Sequence, residues 1–132
     1  MGNEMIQNGG RLLMPEELAN AEIITEPIAN STTLTLTSAI FSGCHGGIDS
    51  TFGGGIYNQS GGILTISSVA FLENTGKVYG GALCNYGGTA TFSSAIFSAN
   101  TAGRGTGGAV YNNGGTVVIS SAIFTENQAS HG

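Results

Sequence analysis

Positive charge is almost missing from this sequence. Arg11, Lys77 and Arg104 face eight acids, giving a formal net charge of −5 over 132 residues. A nucleic-acid surface needs clustered Lys and Arg to offset phosphate, and an anionic bilayer needs the same, so neither is expected as a partner. Tryptophan is absent and there are only two cysteines, Cys44 and Cys84. That number excludes a disulfide framework, and no CxxC spacing or histidine cluster suggests zinc, so both read as small apolar fillers. No apolar run approaches the ~20 residues of a membrane-spanning helix, so membrane insertion is not expected. The opening "MGNEMIQNGG" has neither the basic nor the apolar region of a signal peptide, and Ile6 stands where myristoylation wants Ser or Thr. The expectation is a removed export signal or a start inside a longer protein.

What is present is glycine, 23 residues of it, together with 40% hydrophobic residues. That much apolar material argues for a folded chain, and the length fits one domain. The glycines are periodic. Gly53, Gly80 and Gly107 each open a glycine-rich triplet at intervals of 27 residues, and Asn58, Asn85 and Asn112 keep the same interval. A second marker, Phe-x-x-Asn, recurs at Phe71 to Asn74, Phe97 to Asn100 and Phe124 to Asn127, with a degenerate copy from Phe41 to Cys44.

Between the markers lie "TLTLT", "ILTIS", "TATFS" and "TVVIS". Alternation with period two, β-branched residues and flanking glycine pairs signals short strands. About three are expected per repeat, around the "GAVY", "TVVI" and "AIF" groups, with turns at Asn-Gly-Gly, Ser-Ser and Phe-x-x-Asn. Such a unit cannot bury its own apolar face, but identical phase lets units stack in parallel with a neighbour above and below each strand. The expected fold is therefore all-β: a parallel β-helix, or β-solenoid, of about 3.5–4 rungs of ~27 residues. The boundaries are 1–30 for an N-terminal cap or inter-subunit arm, and 31–132 for rungs 31–52, 53–79, 80–106 and 107–132.

Phase also assigns faces. Leu34, Leu36, Leu64, Ile66, Ala90, Phe92, Val117 and Ile119 are expected inside. Thr35, Thr65, Thr91 and Val118 point out. Phe41, Phe71, Phe97 and Phe124 form an inner ladder, so their predecessors Ile40, Ala70, Ile96 and Ile123 make an outward apolar stripe, expected to be covered by the N-terminal segment or another subunit. Asn58, Asn85, Asn112, Asn74, Asn100 and Asn127 fall at strand ends, where carboxamides satisfy turn backbone or the rung above. Cys44 and Cys84 fall at different phases, too far apart for an intrachain disulfide.

The "GGA(I/L/V)" and "FxxN" markers resemble the repeat of polymorphic outer-membrane proteins, a group of autotransporter passengers, and more broadly the right-handed parallel β-helix of pectin-lyase-like proteins. The resemblance covers residues 31 to 132 and implies a secreted or surface-displayed solenoid for adhesion or structural display. Pectin-lyase-like enzymes need clustered acids and a nearby basic residue. Here only Glu73 and Glu126 recur in phase, two rungs or ~10 Å apart; both fall in turns where a solvated charge is the simpler reading. His45 and His131 stand alone. No enzyme, catalytic residue, metal or cofactor is expected.

The two ends differ. "MPEELANAE" places Pro15, Glu16 and Glu17 at the start of a short helix over 15–22. The last repeat carries Val110, Val117, Ile119 and Phe124 with no polar cap after it. "IQNGGRLLM", with Ile6, Leu12 and Leu13, has the layout of "YNNGGTVVI". These residues, with Ile40, Ile96 and Ile123, are the expected interface of an extracellular filament or cell-surface subunit that stacks on itself head to tail. An adhesin or passenger fragment acting as a surface binding module is the alternative, and a carbohydrate or host-surface ligand has no residue to support it. An ice-binding threonine array is interrupted at Ile63 and Val118.

Overall fold

The computed structural model describes residues 22–45 and 53–131, and every strand pairing among them is parallel. The chain enters through β1 (Glu22–Ile24), β2 (Ile28–Asn30) and β3 (Thr33–Ser42). It then makes one circuit through β4 (Ile56–Asn58), β5 (Ile63–Leu72) and β6 (Thr75–Gly76), and a second through β7 (Leu83–Tyr86), β8 (Thr89–Ser98) and β9 (Thr101–Ala102). The last circuit comprises β10 (Val110–Asn113), β11 (Thr116–Ile119), β12 (Ala122–Thr125) and β13 (Gln128–Ala129).

Three sheets result, one per face of the coil. The broad face runs β1-β3-β5-β8-β11, with β12 also on β8; a second runs β2-β4-β7-β10; the third is the narrow β6-β9-β13. This is the β-solenoid expected from the repeat. Its columns follow the sequence phase: Phe41 pairs with Phe71, Phe71 with Phe97 and Phe97 with Phe124. Leu34, Leu36, Leu64, Ile66, Ala90 and Phe92 are buried, while Thr35, Thr65, Thr91 and Val118 are exposed.

About three strands per repeat is what the interior circuits have, but the circuit divides at other places than expected. The "TLTLT" and "AIF" groups are one ten-residue strand in β3, β5 and β8, bent at a serine instead of broken. Ser38, Ser68 and Ser94 have φ of 59, 56 and 60°, and they drop out of the ladder while residues on both sides stay paired. One left-handed residue resets the alternation, as in a bulge. Leu34 and Leu36 point inward before it, and Ala39 and Phe41 after it. The third face comes from two-residue strands after Phe-x-x-Asn, too short to show periodicity.

The N-terminal boundary also needs correction. Strands β1 and β2 already belong to the sheets, with Ile24 beside Phe41 and Ile28 beside Ile56, so the solenoid includes residues ahead of 31. Only Thr25, Glu26 and Pro27 separate these strands, so this first turn bypasses the third face. Glu22, placed at the end of the expected helix, starts a strand; residues 15–21 of that helix lie outside the described residues.

The glycine pair has two separate causes. Gly53, Gly80 and Gly107 adopt φ of 59, 67 and 74°, where a side chain is strained. Their successors are needed for space. A Cβ on Gly54 would run into the carbonyl oxygen of Gly81, and one on Gly81 into that of Gly108. Chain crosses chain there without room for a methyl group.

Candidate functional site

The interior rungs define what a covered rung looks like. Phe71 stacks on Phe41 at 4.9 Å and on Phe97 at 5.0 Å, with interplanar angles of 12° and 2°. Phe92 tilts against both Phe71 and Phe97, filling the space beside the column. Two asparagine ladders run parallel to these rings. In the first, Nδ2 of Asn30, Asn58 and Asn85 donates to Oδ1 of Asn58, Asn85 and Asn112 at 2.9, 2.8 and 2.8 Å. In the second, Asn74 Nδ2 donates to Asn100 Oδ1 and Asn100 Nδ2 to Asn127 Oδ1, both at 2.9 Å, and each Nδ2 also serves the phenylalanine carbonyl of the preceding rung. These carboxamides satisfy backbone that a tight corner would otherwise bury unpaired. The expected ladder gains one member, Asn30. It lacks the Gly-Gly that marks the others, and its only signal was Ile28 two residues ahead, as Ile56 stands ahead of Asn58.

Cys44 takes the asparagine position at the top of the second ladder. Its N–H donates to Asn74 Oδ1 at 2.8 Å and its thiol to the Ile24 carbonyl at 3.4 Å. Burial, with the nearby charge of Glu26, pushes this thiol up to about 12. Cys84 lies between Tyr57 and Tyr111 in its column; burial pushes it to about 12 as well. Both cysteines are free. Among the described residues no three His, Cys, Asp or Glu side chains gather where a metal ion could sit. Glu73 and Glu126 both occupy left-handed corners, φ 56 and 57°, with exposed side chains and Ala99 in the rung between them. Exposed His45 and His131 lie on separate rungs: His45 forms an isolated bridge with Thr75, and the His131 N–H donates to the Gly105 carbonyl.

Two surfaces remain. The first is the end presented by the last rung. Phe124 stacks on Phe97 at 4.6 Å, yet it is 49% exposed where Phe97 is 0%; inner-ladder position alone does not bury it. Val110, Val117, Ile119 and Ala122 are only partly covered. Beside them Ala109, Val110, Phe124, Glu126 and Asn127 line an open hollow of about 400 Å³. Strands β10 to β13 each pair on one side only among the described residues. The expected interface residues Val110, Val117 and Ile119 are brought together here, whereas Ile123 on the same rung faces outward; Ile6, Leu12 and Leu13 lie outside the described residues.

The second surface is the outer stripe. Ile23, Ile40, Ala70, Ile96 and Ile123 pair in succession down the coil. Ile23, Ile96 and Ile123 are exposed, while Ile40 and Ala70 are half-buried in the wall of a groove of about 390 Å³ that follows the serine bend. Ser38, Ser68 and Ser94 line it with them. No helix among the described residues is long and apolar enough to cross a membrane. Compared with known protein families, with curated proteins and with solved structures, the chain matches none.

Proposed function

We propose that this chain is a structural subunit that lengthens its own β-solenoid by stacking on further copies, end on end, to build a filament at or outside the cell surface. The observation that supports this reading is the last rung. It repeats the apolar and asparagine columns of the interior rungs, but Phe124 is half exposed and, among the described residues, β10, β11, β12 and β13 pair on one side only. Unpaired parallel strands over a slice of core are a template for another strand layer. Head-to-tail contacts do not close on themselves, so the product is a fibre. The surface location draws on the likeness of the repeat to autotransporter passengers.

Size-exclusion chromatography and electron microscopy across rising concentrations test this. Filaments are expected, and removal of residues 1–14 is expected to leave a soluble solenoid that polymerises poorly. A chain that stays monomeric at high concentration loses the filament role and fits a solitary display or binding module.

A further inference from the structure

Ahead of the serine bend, the outer surface of the broad face is a lattice. Residues alternate in and out along β3, β5, β8 and β11, and the parallel register sets each outward residue over its counterpart. The first outward column is Thr33, Ile63, Thr89 and Thr116. The second is Thr35, Thr65, Thr91 and Val118, and every member of both columns is exposed. Thr37, Ser67 and Ser93 continue the pattern in a third. Strand spacing sets steps of ~4.8 Å along a column, and two residues of rise set ~6.7 Å between columns.

The lattice is held straight. Neighbouring strands of open sheets turn by about 20–25°, which would slide columns away from the axis off one another. Here three columns in different parts of the cross-section keep direct contact from rung to rung, the carboxamides at 2.8–2.9 Å and the phenylalanine rings at 4.6–5.0 Å. Successive rungs therefore superpose with little rotation, and the outward columns stay in line with them. Threonine, isoleucine and valine are stiff at χ1, so each column presents a repeated shape. Ile63 and Val118 lack the hydroxyl but keep the branched γ-methyl carbon. The apolar half of the pattern is thus continuous, and only the hydroxyl half has gaps.

No charged residue stands in these columns, although the chain carries a net charge of −5. Glu73 and Glu126 sit at the left-handed corners, and Lys77 and Arg104 follow β6 and β9. We infer that this face binds ice, with the ordered water of a crystal surface as its ligand. Ice is neutral and periodic in two directions, as the face is. Methyl groups fit between its water molecules, while hydroxyls donate to and accept from them. A second protein is the poorer occupant. The lattice covers on the order of 300 Å², against about 800 Å² per partner in a stable protein interface. A growing crystal sets no such threshold, because its front advances around whatever it holds. The inference stands apart from end-on stacking, which uses another surface.

The test grows ice slowly in a stirred solution of the 132-residue chain, kept below the concentration at which it scatters light, and measures the fraction of protein taken into the ice. Thr91→Lys sets a strongly hydrated charge in the middle of the lattice, at an exposed position where folding tolerates it. Gln128→Lys adds the same charge to exposed β13 on the third face. The parent chain and Gln128→Lys are expected to enter the ice. Thr91→Lys is expected to lower that fraction about tenfold, the equivalent of ~1.4 kcal/mol. The Ile63→Thr, Val118→Thr double variant completes the hydroxyl columns and is expected to raise it. A parent chain left in the liquid overturns the inference, as do equal effects of the two lysines or a double variant that enters no better than the parent. None of these outcomes bears on whether the chain forms filaments.

Discussion

The rung that begins at Gly80 and the one that begins at Gly107 are close to the same sentence written twice, yet one is core and the other surface. Phe97 and Phe124 occupy one column, in register, 4.6 Å apart. One is sealed and the other half exposed. The difference lies in the neighbours. In a parallel coil a side chain is enclosed by the rungs above and below it, so burial belongs to position in the stack and not to the residue's own rung.

Truncating the two phenylalanines is the strongest way to break the comparison. Phe97→Ala is expected to cost ~3–5 kcal/mol, because it opens a cavity between two rings that cannot collapse together. Phe124→Ala should cost about 1 kcal/mol in the dispersed chain, half the burial of a full phenylalanine. Denaturant titration at low concentration measures both. Equal losses would mean that the last rung is covered in solution; in filaments the two values should converge.

Asparagine gives a smaller contrast of the same kind. Asn100→Ala removes the acceptor of both the Asn74 N–H and its Nδ2, and the donor to the Phe71 carbonyl. With those groups sealed, the expected loss is about 2–4 kcal/mol. Asn127→Ala leaves similar orphans on Asn100, but water reaches the last rung, so a loss of about 1 kcal/mol is expected. Denaturant midpoints that fall together would contradict the ladder's dependence on enclosure.

These contrasts also show what could be read from residues alone. The phenylalanine and asparagine columns were legible because each member repeats at one phase, and phase is what a parallel stack preserves. The end exposure of Phe124 was legible only as an unanswered question. The fused strand was not, since "SS" reads as a turn and only its single left-handed residue shows that the chain bends without stopping. Strands β6, β9 and β13 carry two residues each, below the length at which any alternation exists. The bypass from Ile24 to Ile28 hid the first rung, because it deletes both the Phe-x-x-Asn corner and the Gly-Gly pair used to find the others.

The thiols sharpen the comparison by pH, because both lie in covered parts of the stack. Burial raises Cys44 and Cys84 from 9.0 to about 12, so the folded chain holds the neutral thiol more tightly than the unfolded chain does. Their contribution is complete below about pH 9 and is lost as pH climbs toward 12. Stability should therefore fall across that window, and less so in the Cys44→Ala, Cys84→Ala double variant. At pH 8 neither thiol of the native protein should react with an alkylating reagent faster than the coil opens.

The smallest effect on stability is expected at Ile96. Its side chain points outward and is 42% exposed, so Ile96→Glu should move the denaturation midpoint by less than about 0.5 kcal/mol. The same variant is expected to weaken assembly measured by light scattering, through the apolar stripe it interrupts. Unchanged assembly would show that the stripe takes no part in it.

The registers carry one further consequence, for how such a chain changes over generations. Successive phenylalanines, Phe41, Phe71, Phe97 and Phe124, are 30, 26 and 27 residues apart, yet all four stay aligned in one column. Within the broad face the spacing never varies: Thr33 to Phe41, Ile63 to Phe71, Thr89 to Phe97 and Thr116 to Phe124 are all eight residues. The irregularity is absorbed elsewhere, in the Asn-Gly-Gly turn and in the stretch from the Phe-x-x-Asn corner to the second sheet. Insertions and deletions are thus free to accumulate at two places per rung while the rest of the circuit is closed to them. New loops, and with them new contacts on the outside of the coil, can be acquired there without disturbing a single ladder, and whole rungs can be duplicated or lost between the same pair of columns.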